Sequence, residues 1–281
     1  MRGRRSALFP LLMLGFPARH LPGRRRIKML SLIIWWSGIV LESLLLARGL
    51  QAKLWTRYPV FYAYILFVWL QSLLRYSIYH ARPQYYSAVY WITEGLGVLV
   101  GCAVVFEIYR VGLSAYPGAA RMARNLLGFV FVLASTKALV SAWNDPQWWL
   151  ISTTMDLEQI LRIVQALAIA ALIALFFFYS IPFGKNLRGV LLGYGLFIVE
   201  SVVWLTLVPL AGEKFHQFWF QLHPAFYFAT LGVWLAHLWS YLPNPGPERA
   251  VRLEEQYQRV AAATAQRLRE ARGYLTKAVR S

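Results

Sequence analysis

Long apolar runs alternate along the chain with short clusters of Pro, Gly, Asn and charge. The runs 29–47, 58–80, 85–109, 126–143, 151–181, 189–211 and 225–242 approach or exceed the about 20 residues that a helix needs to cross a bilayer at ~1.5 Å per residue. Turn chemistry fills the breaks. Arg48, Gly49, Lys53 and Arg57 end the first run, Pro59 restarts the second in its first turn, and Pro83 separates the second from the third. Pro117-Gly118 with Asn125, then Asn144-Asp145-Pro146, then Pro182-Phe183-Gly184-Lys185-Asn186 mark the next connections. Pro224 is expected to open the last helix, and Pro243-Asn244-Pro245-Gly246-Pro247 to close it. The fifth run is longer than a span requires, so it should tilt or protrude. A strand-built barrel is excluded, because it needs ~10-residue segments of alternating hydrophobicity and a run such as 166–178 does not alternate. The pattern predicts an all-α, polytopic integral membrane seven-helix bundle. Three parts are expected: a basic N-terminal extension over 1–28, a seven-transmembrane-helix domain over 29–242, and a cytoplasmic amphipathic helical tail over 243–281.

Composition agrees with that pattern. Of 281 residues, 58% are hydrophobic and 15% charged, whereas a soluble domain carries about 25% charge. The single cysteine, Cys102, rules out an intrachain disulfide. The net charge of +17 is concentrated at the ends: residues 1–28 hold eight basic and no acidic residues, and 243–281 hold eight basic and four acidic ones. Beside long apolar runs, such basic flanks point to the anionic headgroups of a lipid bilayer and not to nucleic acid.

The same charges predict orientation. Arg48, Lys53 and Arg57, then Arg110, Arg121 and Arg124, then Lys185 and Arg188, then Arg249 and Arg252 all fall at odd-numbered connections or after the last span. The alternate connections are poorer, with Arg82 and Lys214 only. The positive-inside rule then places the odd loops and the C-terminus in the cytoplasm of a plasma-membrane protein, with the N-terminus outside. Residues 1–28 oppose that placement, with Arg24, Arg25, Arg26 and Lys28 just before the first run. Translation beginning at Met29 removes the conflict; the alternative is that 7–17 is a weak signal-like segment.

Ionisable residues inside spans are costly and usually face the bundle interior. Glu94, Lys137, Arg162 and Glu200 fall near mid-span on four helices, which predicts one shared ligand or ion site. Lys137 is expected to pair with Glu94 or Glu200. Glu42, Arg75, Asp156 and Glu158 form a secondary set, and Glu107 lies near the inner end of the third span. A purely structural role competes with this: Glu158 and Arg162 are spaced i, i+4 and can neutralise each other, and Arg75, Glu107 and Asp156 can snorkel to an interface. Tyr85, Tyr86, Trp148, Trp149, Phe215, Phe218, Trp219, Phe220, Phe226 and Tyr227 fit an interfacial aromatic belt or a lid over an outer pocket. Gly97-x-x-x-Gly101 permits close helix approach.

Catalytic signatures are missing. The chain has no GxGxxG, P-loop, HExxH or CxxC, and no nucleophile–base spacing, so an enzyme is disfavoured and no cofactor is expected. His80, His216 and His223 fall on the outer side without a metal-ligand spacing, so no metal is expected either. Run 225–242 holds no lysine, which argues against a retinal Schiff base. Beyond Pro247, Leu253, Tyr257, Val260, Leu268, Ala271 and Leu275 recur at helical spacing. Such a helix suits a membrane surface, a cytoplasmic protein partner or self-association. The favoured reading is a sensor or receptor-like module with a polar intramembrane site. A transporter or ion/proton pathway and a structural or assembly role are the alternatives.

Overall fold

The computed structural model describes residues 24–114, 117–144, 149–178, 184–242 and 258–267. Among them every regular element is a helix. The long helices are α1 (Arg24–Gln51), α2 (Pro59–Ala81), α3 (Tyr86–Gly112), α4 (Pro117–Asn144), α5 (Trp149–Phe178), α6 (Lys185–Thr206) and α7 (Glu213–His237). Single turns at Leu54–Thr56, Pro83–Tyr85 and Val208–Ala211 join some of them. Of the expected tail, 258–267 is helical, and the rest of 243–281 lies outside the described residues, as do residues 1–23 and Asp145.

Two prolines behave differently from the sequence expectation. Pro117 is the first residue of α4, so the fourth helix begins nine residues before its apolar run. A proline suits a first turn, where a missing N–H costs nothing. Pro224 lies inside α7 and does not open it. The turns around it are held by ring packing, with Phe215 stacked on Trp219 at 5.9 Å and Trp219 on Phe226, across the proline, at 5.4 Å.

Four stretches are long and apolar enough to cross a membrane: Leu32–Gln51, Pro83–Gly112, Leu157–Phe177 and Lys185–Thr206. They lie in α1, α3, α5 and α6 and are consistent with a multi-pass membrane protein. The other long helices are diluted by Tyr, Trp, Gln, His and charge. In α2 these include Tyr62, Tyr64, Trp69, Arg75, Tyr76 and Tyr79.

Packing sets the arrangement. α1 contacts α2 and α7, α2 contacts α3, α3 contacts α5 and α6, α5 contacts α6, and α6 contacts α7. These six helices close a ring, and α4 rests on its flank against α3 and α5. The core is unusually aromatic, with Phe61, Tyr62, Tyr64, Tyr194 and Trp234 joined by Leu161, Leu172, Ile198 and Leu231. Glycines let α6 and α7 meet. A Cβ on Gly189 would strike His237, and one on Gly193 would strike the Trp234 indole. Gly97 and Gly101 on α3 serve the same purpose inside the chain, against Phe67 and Gln71 of α2 and against Tyr194 and Gln165.

Candidate functional site

A polar network lies inside this apolar shell. On α2, Arg75 reaches α3, where its Nη2 sits 2.9 Å from Glu94 Oε2. Its Nε and Nη2 also donate to Thr93 Oγ1 at 3.0 and 2.8 Å, and Nη2 to the Tyr90 carbonyl at 3.1 Å. The guanidinium stacks on the Tyr90 ring at 4.2 Å. The Gln71 amide lies one turn away and can accept from it once its oxygen is turned inward. Arg75 therefore has a partner for each face of its fork, which is what lets a guanidinium persist inside an apolar bundle.

On α5, Glu158 and Arg162 face each other at 3.7 Å along one helix face. Arg162 is 3% exposed, lies 4.6 Å over the Phe197 ring of α6, and donates to Gln165 Oε1 at 3.4 Å. Gln165 in turn donates to Cys102 Sγ at 3.1 Å and to the Val98 carbonyl at 3.4 Å. The Tyr194 hydroxyl completes the cluster beside Arg162. Only a residue without a Cβ fits at Gly101, because that atom would overlap the Tyr194 hydroxyl. Glu158 lies within Coulombic range of both Glu94 and Arg75, so the two ion pairs share one field.

Two further pairs involve α7. His223 Nδ1 lies 2.6 Å from Glu200 Oε1 of α6, and Tyr227 donates its hydroxyl to Glu42 Oε1 of α1. His223 and Tyr227 are one helical turn apart, so the two contacts form successive rungs on the same face of α7.

Most of the residues expected near mid-span take part in these contacts. Glu94, Arg162 and Glu200 enter the network, together with Glu42, Arg75 and Glu158 from the secondary set. Lys137 does not. It is exposed on α4, in a stripe with Phe129, Val132, Leu133 and Val140. The reason is architectural: α4 lies on the flank of the ring, and Arg75 and His223 occupy the carboxylates expected to meet Lys137. The side chains of Asp156 and His216 lie outside the described residues. Among the described residues no three His, Cys, Asp or Glu side chains converge as metal ligands would.

Tyr227, expected in an interfacial belt, points inward to Glu42. Gln71, Thr93, Gln165 and Tyr194 escaped notice because uncharged polar side chains carry little hydropathy signal, though their place inside apolar runs was visible. Glu107 has a separate task. Its Oε1 and Oε2 accept from the Val60 and Phe61 amides at 3.0 and 2.7 Å, capping the start of α2 from another helix.

At the same end the chain leaving α7 is clamped. Asn186, the second residue of α6, donates to the His237 and Ser240 carbonyls at 2.8 Å each and accepts from the Leu242 amide at 2.7 Å. Arg48 donates to the Trp239 carbonyl at 2.8 Å and stacks on its ring at 4.2 Å. Arg57 lies 5.3 Å over Tyr241. No protein-family model matches the chain, and no curated protein or solved structure is similar to it.

Proposed function

We propose that the chain is a seven-span membrane sensor whose interior polar network is the receiving site and whose C-terminal segment is the output. Glu94, Arg162 and Glu200, supported by Glu42, Arg75 and Glu158, form the site. The odd-numbered loops and the tail lie in the cytoplasm of the plasma membrane, where the tail helix meets a protein partner or a second copy of itself.

One observation carries the reading: α6 and α7 hold both the network and the clamp. α6 bears Glu200 and Asn186, while α7 bears His223 and Tyr227 and runs directly into the clamped segment. Between those ends, Gly189 and Gly193 bring the two helices into close contact with His237 and Trp234. A packed helix pair of this kind favours discrete positions over gradual bending. A ligand that changes the Glu200–His223 contact would therefore bias the clamp.

The test uses thiol labelling at Leu242→Cys, since Cys102 is buried. Asn186→Ala, which cuts the clamp, is expected to raise the labelling rate several-fold. Glu200→Gln is expected to raise it in the same direction. A rate unchanged by Glu200→Gln, with Asn186→Ala responding, overturns the sensor reading. A transport pathway is the second reading, favoured by the run of intramembrane carboxylates. In that case Glu200→Gln abolishes flux and leaves the tail unaffected.

A further inference from the structure

The intramembrane carboxylates are not equally provided for. Glu94 has Arg75, Glu158 has Arg162, and Glu200 has His223. Glu42 is different. It is 1% exposed, its Oε1 accepts from Tyr227, and its Oε2 is buried without a hydrogen-bond partner among the described residues. The titratable groups facing it are Tyr227 from α7 and Tyr64 from α2, both neutral phenols. No guanidinium, ammonium or imidazole among the described residues forms an ion pair with it.

An ionised carboxylate in such a place is costly, and binding a cation removes the cost. A metal ion needs on the order of six oxygen ligands, whereas the described residues give Glu42 one polar contact, the Tyr227 hydroxyl. The proton is the cation that fits.

A titratable pair lies one turn away along α7. His223 is 46% exposed, holds Glu200, and shares its α7 face with Tyr227. Pro224, next to His223 in the chain, lacks the N–H that would bond back to the preceding turn of α7.

We infer that Glu42 is a proton-binding site, loaded through the Glu200–His223 pair, and that this proton is the signal the sensor receives. On loading, the carboxylate and one proton give a neutral carboxyl with the new O–H on Oε2, while Tyr227 keeps its bond to Oε1. The signalling half of this inference rests on the sensor reading above; the proton site does not.

The experiment is infrared difference spectroscopy of the purified full-length chain across a pH titration. A protonated-carboxyl band that disappears at alkaline pH is expected. Glu42→Gln should remove one such band, and Tyr227→Phe should retain it at a shifted frequency, which also reports that the variant is folded. A titrating band unaffected by Glu42→Gln, a band that never titrates, or its displacement by sodium at constant pH overturns the proposal. Labelling at Leu242→Cys separates the two claims. If the Glu42 band titrates and labelling does not follow pH, the proton site stands and the sensor reading falls. If Glu200→Gln moves labelling and no Glu42 band exists, the sensor reading stands and the proton site falls.

Discussion

A charge inside an apolar bundle is stable in proportion to what surrounds it, and Arg75 and Lys137 show the two extremes. Arg75 is held by Glu94, Thr93, the Tyr90 carbonyl and the Tyr90 ring. Lys137 stands on an exposed face, where its long stem can carry the ammonium toward the headgroups. Their truncations should therefore diverge. Arg75→Met strands Glu94 and is expected to cost about 3–5 kcal/mol, the usual loss when one member of a buried pair is removed. Arg75→Met with Glu94→Gln should recover part of that. Lys137→Met should fall within roughly 0.5 kcal/mol of the parent, as surface changes do. Thermal unfolding in detergent reads all three; a large loss at Lys137→Met would mean that α4 is buried against another surface. Which charges fall inside apolar runs is legible in the sequence, since that follows from position alone. Their partners were legible only for Glu158 and Arg162, where i, i+4 spacing suffices. Partnering across helices depends on which faces meet, and a helix pushed to the flank removes its charge from the interior whatever its depth.

Helices as units were the most legible feature, because length and apolar content decide them. Their ends were less so. Beside an apolar run Pro117 and Pro224 both signal a boundary, yet a proline is compatible with a first turn and, inside a packed aromatic segment, with a helix interior. The Gly97-x-x-x-Gly101 motif was visible and its use was not. Its small faces receive Gln71, Gln165 and Tyr194. The pair Gly189 and Gly193 has the same spacing and joins α6 to α7, so it belongs to the coupling unit proposed above. A Cβ at Gly193 would overlap the Trp234 indole, whereas nothing lies within 4 Å of one at Gly232 on the other helix of the pair. Gly193→Ala is accordingly expected to cost about 1–3 kcal/mol by forcing the helices apart. Gly232→Ala should be neutral or slightly stabilising, since alanine favours the helix by up to about 1 kcal/mol over glycine. Equal unfolding temperatures for the two variants would show that α6 and α7 are not held together at Gly193.

At the scale of the whole molecule the open matter is how many helices cross, and the direction of the chain constrains the answer. The end of α3 lies at the start of α2, because Glu107 caps Val60 and Phe61. The end of α1 leads into that same start through Leu54–Thr56, so α1 and α3 run parallel. A Cβ on Gly112, the last residue of α3, would lie 2.9 Å from Phe176 near the end of α5 and 3.6 Å from Leu187 near the start of α6. Thus α5 also runs with α1 and α3, and α6 runs against them. Each of these four helices contains a stretch able to cross. If α1 and α3 both cross toward one end, α2 must carry the chain back, and α4 must do the same between α3 and α5. The 23 residues of α2 extend about 34 Å, enough for a ~30 Å hydrocarbon core. α7 starts at the far end of α6 and finishes beside Asn186 at the near end, so it too runs the full depth. Arg48, Lys53, Arg57, Arg110, Lys185 and Arg188 gather at that near end, the end proposed above to face the cytoplasm. Reporter fusions after Arg188 and after Arg252 are therefore expected to read cytoplasmic, and one at Asp145 external. Four spans made of α1, α3, α5 and α6 alone would place Arg188 and Arg252 on opposite sides of the membrane. A cytoplasmic reading at Asp145 would remove α4 and α5 as spans, and with them the depth at which Glu158 and Arg162 meet the rest of the network.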